Sequence, residues 1–233
     1  MKKFLSLLLL GLLIPQFCFG YIGYWKLDGN STDYSGNHYN GTDSGVNYSI
    51  KSKINNAGSY GGSTQYSYAA SATGMCSFSG LTINFWVYRT STASQGFVTK
   101  NFATNDEDWC LIDYNTGDHF PYFQVNDTTG VGHYYIGDVA IASNTWQMVT
   151  GVWTGSGRTM ATYINGKKTG KKLSNKDTDS FTQRTCGASN NQLWLGRFRG
   201  TYFGGYLDDV IVDNFAWSDQ KIKTYYAYTR GAF

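Results

Sequence analysis

The chain is short of proline, of glutamate and of long apolar runs. Its 233 residues hold two prolines, Pro15 and Pro121, and one glutamate, Glu107. Beyond Ile14 no apolar stretch approaches the roughly 20 residues that span a bilayer, so no transmembrane helix is expected in the body of the chain. Four cysteines are present without a C-x-x-C pair, which argues against a structural zinc. No G-x-S-x-G elbow occurs, and the glycines at 61–62 and 155–157 stand alone without a following helix, so neither a nucleophile elbow nor a phosphate cradle is expected.

The first twenty residues, MKKFLSLLLLGLLIPQFCFG, have a lysine pair, an apolar stretch from Phe4 to Ile14 and the small Gly20 at a cleavage position. They read as a secretory signal rather than a membrane anchor, because Pro15 and Gln16 end the apolar run early. Cys18 is preceded by Pro15, Gln16 and Phe17 rather than by the small residues of a lipoprotein signal. The expected product is residues 21–233, secreted or held at the cell surface, with no membrane insertion after cleavage. Removing Lys2 and Lys3 takes 19 basic residues to 17 against 16 acidic ones, so nothing points to nucleic acid. The length suits one β-sandwich domain. Cys76, Cys110 and Cys186 remain, an odd number that permits one disulfide and one free thiol, or three buried thiols, with the pairing open. Asn30, Asn40, Asn47 and Asn126 lie in glycosylation sequons.

What the chain has in quantity is aromatic residues, 17% of the total, and glycine, 28 residues. With frequent Thr and Val this is the composition of β structure. In LTINFWVY (81–88), Leu81, Ile83, Phe85 and Val87 share one face and Thr82, Asn84, Trp86 and Tyr88 the other, which predicts a strand. Phe97 to Lys100, Trp109 to Tyr114, Tyr122 to Val125, Trp146 to Trp153 and Met160 to Ile164 read likewise. Asn165–Gly166 predicts a type I′ hairpin turn. Lys167, Lys168, Lys171, Lys172 and Lys176 follow it; such lysines attract acidic polysaccharide or, more commonly, guard an exposed strand edge. Ser218 as N-cap, then Asp219, Ile222, Tyr225 and Tyr226, predict one short terminal helix.

Several of these segments in order, YWKLDGNSTDYSGNHYNGT, LTINFWVY, NTWQMVTGVW, MATYINGK, QLWLGRF and YFGGYLDDVIVDNFAWSDQKIKTYY, resemble the laminin-G-like jelly roll of the concanavalin A-like lectin/glucanase superfamily. The resemblance runs from about Tyr24 to Tyr226. It implies an all-β, two-sheet antiparallel jelly-roll sandwich, one sheet concave, with first and last strands adjacent. It also implies a structural calcium near the chain ends, with Asp28, Asp33 and Asp208 as expected ligands. Asn30 and Asn37 add oxygens of the kind calcium requires. Strand alternation sends Asp208 and Asp209 to opposite faces, so only one of them is expected to ligate. The competing reading makes Asp28 and Asp33 plain Asx turns.

Catalysis in such sandwiches requires two carboxylates on one face. Asp106, Glu107 and Asp108 precede a strand rather than alternate along one, and are expected on a solvated loop. His38, His119 and His133 sit in turn-like contexts. The expectation is therefore a non-catalytic secreted domain binding a glycan or an extracellular protein. The alternatives are a glycoside hydrolase or polysaccharide lyase of the same superfamily, and a purely structural or adhesive module. Sugar rings pack on aromatic faces while amides and charged groups take the hydroxyls. On that ground Asn84, Trp86 and Tyr88 on one strand face, with Trp109, Tyr134, Tyr135, Arg197 and Tyr202 at a rim, are the candidate ligand residues.

Overall fold

The computed structural model describes residues 20–92, 95–100, 107–114, 117–155, 159–175, 181–186 and 192–231. The expected leader up to Phe19, together with Asp106, Ser156, Gly157 and Lys176, lies outside them. Two eight-stranded antiparallel sheets are stacked as a sandwich. The first runs β13 (Lys167–Lys168), β12 (Met160–Ile164), β11 (Trp146–Trp153), β6 (Leu81–Arg89), β18 (Gly204–Asp213), β4 (Asn56–Gly61) and β3 (Asn47–Lys51), with β1 (Gly23–Trp25) also paired to β18. The second runs β14 (Lys171–Asn175), β10 (Gly132–Gly137), β9 (Phe120–Asn126), β8 (Trp109–Tyr114), β7 (Gln95–Lys100), β15 (Leu193–Leu195), β5 (Tyr66–Ala69) and β2 (Thr42–Ser44). A small hairpin, β16 (Arg197–Phe198) and β17 (Thr201–Tyr202), packs on β7. Helix α1 (Asp219–Thr229) ends the fold, its first turn capped by Ser218, whose Oγ accepts from Lys221 N. First and last strands do meet: Gly23, Tyr24 and Trp25 pair with Val212, Ile211 and Val210.

Period-2 patterning builds the core. Leu81, Ile83, Phe85 and Val87 of β6 pack against Phe97, Trp109, Leu111, Phe123 and Val125 of the facing sheet. Each such side chain contributes about 1.5–3 kcal/mol by leaving water. The opposite face of β6 was expected to be open, and it is not. Tyr21, Trp217 and Ile222 cover it, forming a second apolar cluster with Trp86, Met148, Tyr163 and Ile211. Only Tyr88, beyond the reach of α1, keeps partial exposure on that strand face. The lysines of β13 and β14 stand on the outermost strand of each sheet, where they oppose further strand pairing.

Of the cysteines, Cys76 and Cys186 form a disulfide that closes a 110-residue separation, and Cys110 is buried and free. Beside the disulfide Asp108 is fully buried, its Oδ2 taking Lys100 Nζ at 3.3 Å.

Candidate functional site

The outer face of the second sheet carries a row of side chains set by register. Tyr134 pairs with Gln124, Gln124 with Cys110, Cys110 with Thr99, Thr99 with Trp194, and Trp194 with Tyr68. Directly opposed residues share a face, so the row lies on one side of six strands, with Cys110, Thr99 and Trp194 buried in its middle. Two residues along β5 and β9, Tyr66 and Tyr122 join it. At one end Tyr122 stacks on Tyr134, with centroids 5.2 Å apart. At the other, Trp194 stacks on Tyr68 at 5.1 Å and 24°, and Tyr66 lies 5.1 Å from Trp194 and 6.2 Å from Tyr202. The Arg197 guanidinium sits 4.7 Å from Trp194, 5.1 Å from Tyr66 and 5.3 Å from Tyr202, within cation–π range of all three rings.

The β16–β17 hairpin places Arg197. It lies so close to β7 that a Cβ on Gly96 would meet Phe198 Cβ at 2.4 Å, so only glycine fits beneath it. At its tip Arg199 donates from Nε to Glu107 Oε1 at 2.5 Å. Glu107 is therefore not on a solvated loop; it is 1% exposed and held by a cation. Asp108 turns the other way, into the core beside Lys100 and Cys76, so the two carboxylates do not face one another across an open site. Within the row, burial pushes the Cys110 thiol well above its ordinary value, with Glu107 adding to the effect. A buried, protonated thiol is a poor nucleophile. The histidines are tied to aspartates: His119 Nδ1 lies 2.9 Å from Asp113 Oδ2, and His133 Nε2 lies 3.0 Å from Asp127 Oδ2. His38 is exposed in a turn.

Arg197, Tyr202 and Tyr134 belong to this face, and Tyr66, Tyr68, Tyr122 and Trp194 were missed. Trp109 is buried in the core with Nε1 donating to Met75 O, and Tyr135 packs there too. Asn84 is fully buried, its Oδ1 accepting from Thr150, and Trp86 lies under Tyr226 of α1. Trp109, Asn84 and Trp86 have no surface to offer a ligand, and Tyr135 is turned to the core rather than to this face. Tyr88 forms a separate half-buried group with Trp146 and Tyr206 on the first sheet.

A second site lies where the chain ends meet. Alternation along β18 fails at a bulge: Asp208 pairs with Trp86 and Ile211 with Asn84, and Asp209 adopts a positive φ of 52°. The inserted residue leaves both Asp208 and Asp209 on the side away from the core, whereas Leu207, Val210 and Val212 face into it. Both carboxyls are buried. Asp208 Oδ2 accepts from Ser52 Oγ and Ile54 N; Asp209 accepts from the Tyr225 phenol. Burial raises both pKa values, that of Asp208 to about 8; the negative charges of Asp209 and Asp28 add to the rise at Asp208, and that of Asp28 adds to the rise at Asp209. Lys26 opposes the rise at Asp209. Asp208 Oδ1, Asp209 Oδ1 and Asn56 Oδ1 are all buried and receive no hydrogen bond. Asp28, which accepts from Asn55 Nδ2 and Asn56 N, is close enough for its charge to act on both aspartates. The opening loop divides in function: Asp33 is consumed by its own turn, accepting from Tyr24 N and Ser35 N on Oδ1 and from Ser35 Oγ and Tyr39 N on Oδ2. Among the described residues, the one trio of His, Cys or carboxylate ligand atoms drawn within 4.8 Å of one another is Cys76, Cys186 and Asp108, whose sulfurs are in the disulfide.

Two stacked antiparallel sheets with joined chain ends and an aromatic outer face define a lectin-type jelly roll. The laminin-G family model described as the concanavalin A-like lectin/glucanases superfamily matches residues 61–223, and the chain belongs to that family. It is similar in structure to domain 4 of AbnA, a GH43 extracellular arabinanase from Geobacillus stearothermophilus, in complex with arabinotriose. That match has a TM-score of 0.68 at 16% identity and covers 88% of this chain and 97% of the other. It is also similar to the botulinum neurotoxin serotype D ligand binding domain in complex with N-acetylneuraminic acid, with a TM-score of 0.67 at 16% identity, 91% of this chain and 51% of that one. The binding domain of botulinum neurotoxin DC in complex with rat synaptotagmin II matches at TM-score 0.64 and 16% identity, covering 91% of this chain and 52% of that one. The chain spans about half the length of the toxin binding domains. No curated protein matches the sequence.

Proposed function

We propose that this is a secreted, non-catalytic carbohydrate-binding domain whose ligand lies along the outer face of the second sheet. The observation that carries the reading is the pair of half-buried rings Tyr66 and Tyr202, backed by the buried Trp194, gathered around the Arg197 guanidinium. Flat rings take the C–H faces of a sugar, and the guanidinium and Gln124 offer hydrogen bonds to its hydroxyls. The one glutamate at this face is neutralised by Arg199 and lacks a partner carboxylate turned toward it, which favours binding over hydrolysis. The arabinotriose complex of the arabinanase domain supports a neutral oligosaccharide as the first ligand to test.

The reading includes a structural calcium. Three buried acceptor oxygens without donors, two carboxylate and one amide, beside a third carboxylate, are costly unless a cation meets them, and an all-oxygen set suits a hard ion. Asp28, Asn56, Asp208 and Asp209 would hold it, replacing Asp33 in the expected set. Bound there, it would supply positive charge that neutralises the aspartates and ties the opening loop to β18.

Titration calorimetry with arabino-oligosaccharides and a wider neutral glycan panel tests the binding claim. Arg197→Ala and Tyr202→Ala are expected to weaken binding about tenfold or more with the fold intact. Absence of any carbohydrate ligand, with a protein ligand captured through Tyr88, Trp146 and Tyr206 instead, would transfer the site to the first sheet.

A further inference from the structure

A second recess lies on the far side of the sandwich, where α1 and the β12–β13 turn approach one another. The approach is close: Gly166 has φ 77°, and a Cβ there would meet Tyr226 Cβ at 2.9 Å. The resulting cavity has a volume of about 660 Å3, within the ~300–1,000 Å3 typical of small-ligand sites. Lys167 and Lys168 line it from the hairpin, Lys223 from the helix and Arg230 from the helix C-cap. The one carboxylate among them is Asp219, whose Oδ1 accepts from the Tyr163 phenol at 2.7 Å. Among the described residues none of the four cations is in an ion pair.

We propose that this cleft binds an acidic glycan, its carboxylate or sulfate group lodged among Lys167, Lys168, Lys223 and Arg230. Edge protection accounts for Lys167 and Lys168, which stand on an outermost strand. It does not account for Lys223 and Arg230, which stand on a helix and its C-cap with no edge to guard. Bringing like charges from two elements to one recess is unfavourable without an anion between them. The remaining lining suits a sugar rather than a nucleic acid. Gln220 keeps its amide oxygen available, since Nε2 is the atom donated to Thr224. Tyr226 has Trp86 at 5.7 Å and Arg230 at 5.7 Å, leaving no bare ring on which a base could stack.

The site is independent of the aromatic row, and its test is kept separate. Calorimetry of the mature chain with a tetragalacturonate, and with a sulfated oligosaccharide of equal length, is compared with an uncharged oligosaccharide, single-stranded DNA and phosphatidylserine vesicles. Binding of one or both acidic oligosaccharides is expected, the carboxylate and sulfate arms saying which group is taken. It should weaken as salt rises from about 50 to about 300 mM, as screening demands. The exposed pair Lys223→Glu and Arg230→Glu should lower that affinity about tenfold or more, while thermal midpoint and any neutral-glycan binding stay unchanged. Equal binding by the charge-reversed variant, no binding of either acidic oligosaccharide, or DNA and vesicles binding as tightly as the acidic glycans, would overturn the proposal.

Discussion

Withdrawing divalent cations while raising the pH is the perturbation that most directly probes the chain-end carboxylates. Without a cation, the Asp208 carboxyl holds its proton to about pH 8. An aspartate in the unfolded chain releases it near about 3.9. Between those values the native state binds a proton that the unfolded state lacks, so the contribution of this group is complete below the unfolded pKa and falls as pH rises toward 8. Over pH 5 to 8 the loss is about 4 kcal/mol at ~1.36 kcal/mol per unit. For a chain of this size that corresponds to a midpoint drop of about 8–16 °C. Asp209, raised for the same reason, acts in the same direction. Asp127, depressed to about 2 by hydrogen bonds that outweigh its desolvation, contributes stability already complete above its unfolded pKa and constant over this range. Circular-dichroism melts in EDTA and in excess calcium provide the assay. The expected result is a midpoint that falls with pH in EDTA and is restored by calcium, most strongly at pH 8, because a ligand specific to the native state stabilises by mass action. Asp208→Asn should flatten the EDTA profile and remove most of the calcium response. A flat or rising EDTA profile in the parent chain, with no calcium shift at any pH, would refute the reasoning.

Two further outcomes are expected. Reducing the Cys76–Cys186 disulfide, or replacing both cysteines by serine, releases a 110-residue separation; the chain-entropy estimate is about 4–5 kcal/mol, seen as a lower denaturant midpoint with Cys110 still unreactive in the folded state. Arg199→Ala leaves the buried Glu107 carboxyl without its cation, whereas Glu107→Gln removes the acid itself; the arginine variant should lose about 2–3 kcal/mol in urea melts and the glutamine variant clearly less. Equal losses would mean that the pair acts by packing alone.

The sandwich was legible because its strands obey period 2 and its turns carry their own chemistry. LTINFWVY did direct Leu81, Ile83, Phe85 and Val87 inward, Asn165–Gly166 closes a turn, and Ser218 caps α1. What alternation could not report is what covers the outward face. Trp86 and Asn84 point away from the core as expected, yet α1 and Tyr21, distant in sequence, bury the ground on which they stand. A strand pattern gives direction, and burial depends on an element whose docking no local rule describes.

The two sites failed to be legible for different reasons. The aromatic row is a product of register: Tyr134, Gln124, Cys110, Thr99, Trp194 and Tyr68 become neighbours only when six strands are aligned. Sequence pointed to Arg197 and Tyr202 through their loop setting, but Tyr66, Tyr68 and Trp194 were indistinguishable from other strand aromatics. At the chain ends the error was a rule applied where it does not hold. Alternation separates Asp208 from Asp209, and the bulge with its left-handed Asp209 cancels that separation. Left-handed backbone at a non-glycine residue costs about 1–3 kcal/mol and persists where the surroundings over-determine it. Here the result is two buried carboxyls brought to one side of a strand, each with an oxygen that no donor reaches. A fold does not gain stability from that arrangement alone. It becomes intelligible if the oxygens are ligands, and this is why the calcium reading now rests on Asp208, Asp209, Asn56 and Asp28 rather than on the opening loop and its Asp33.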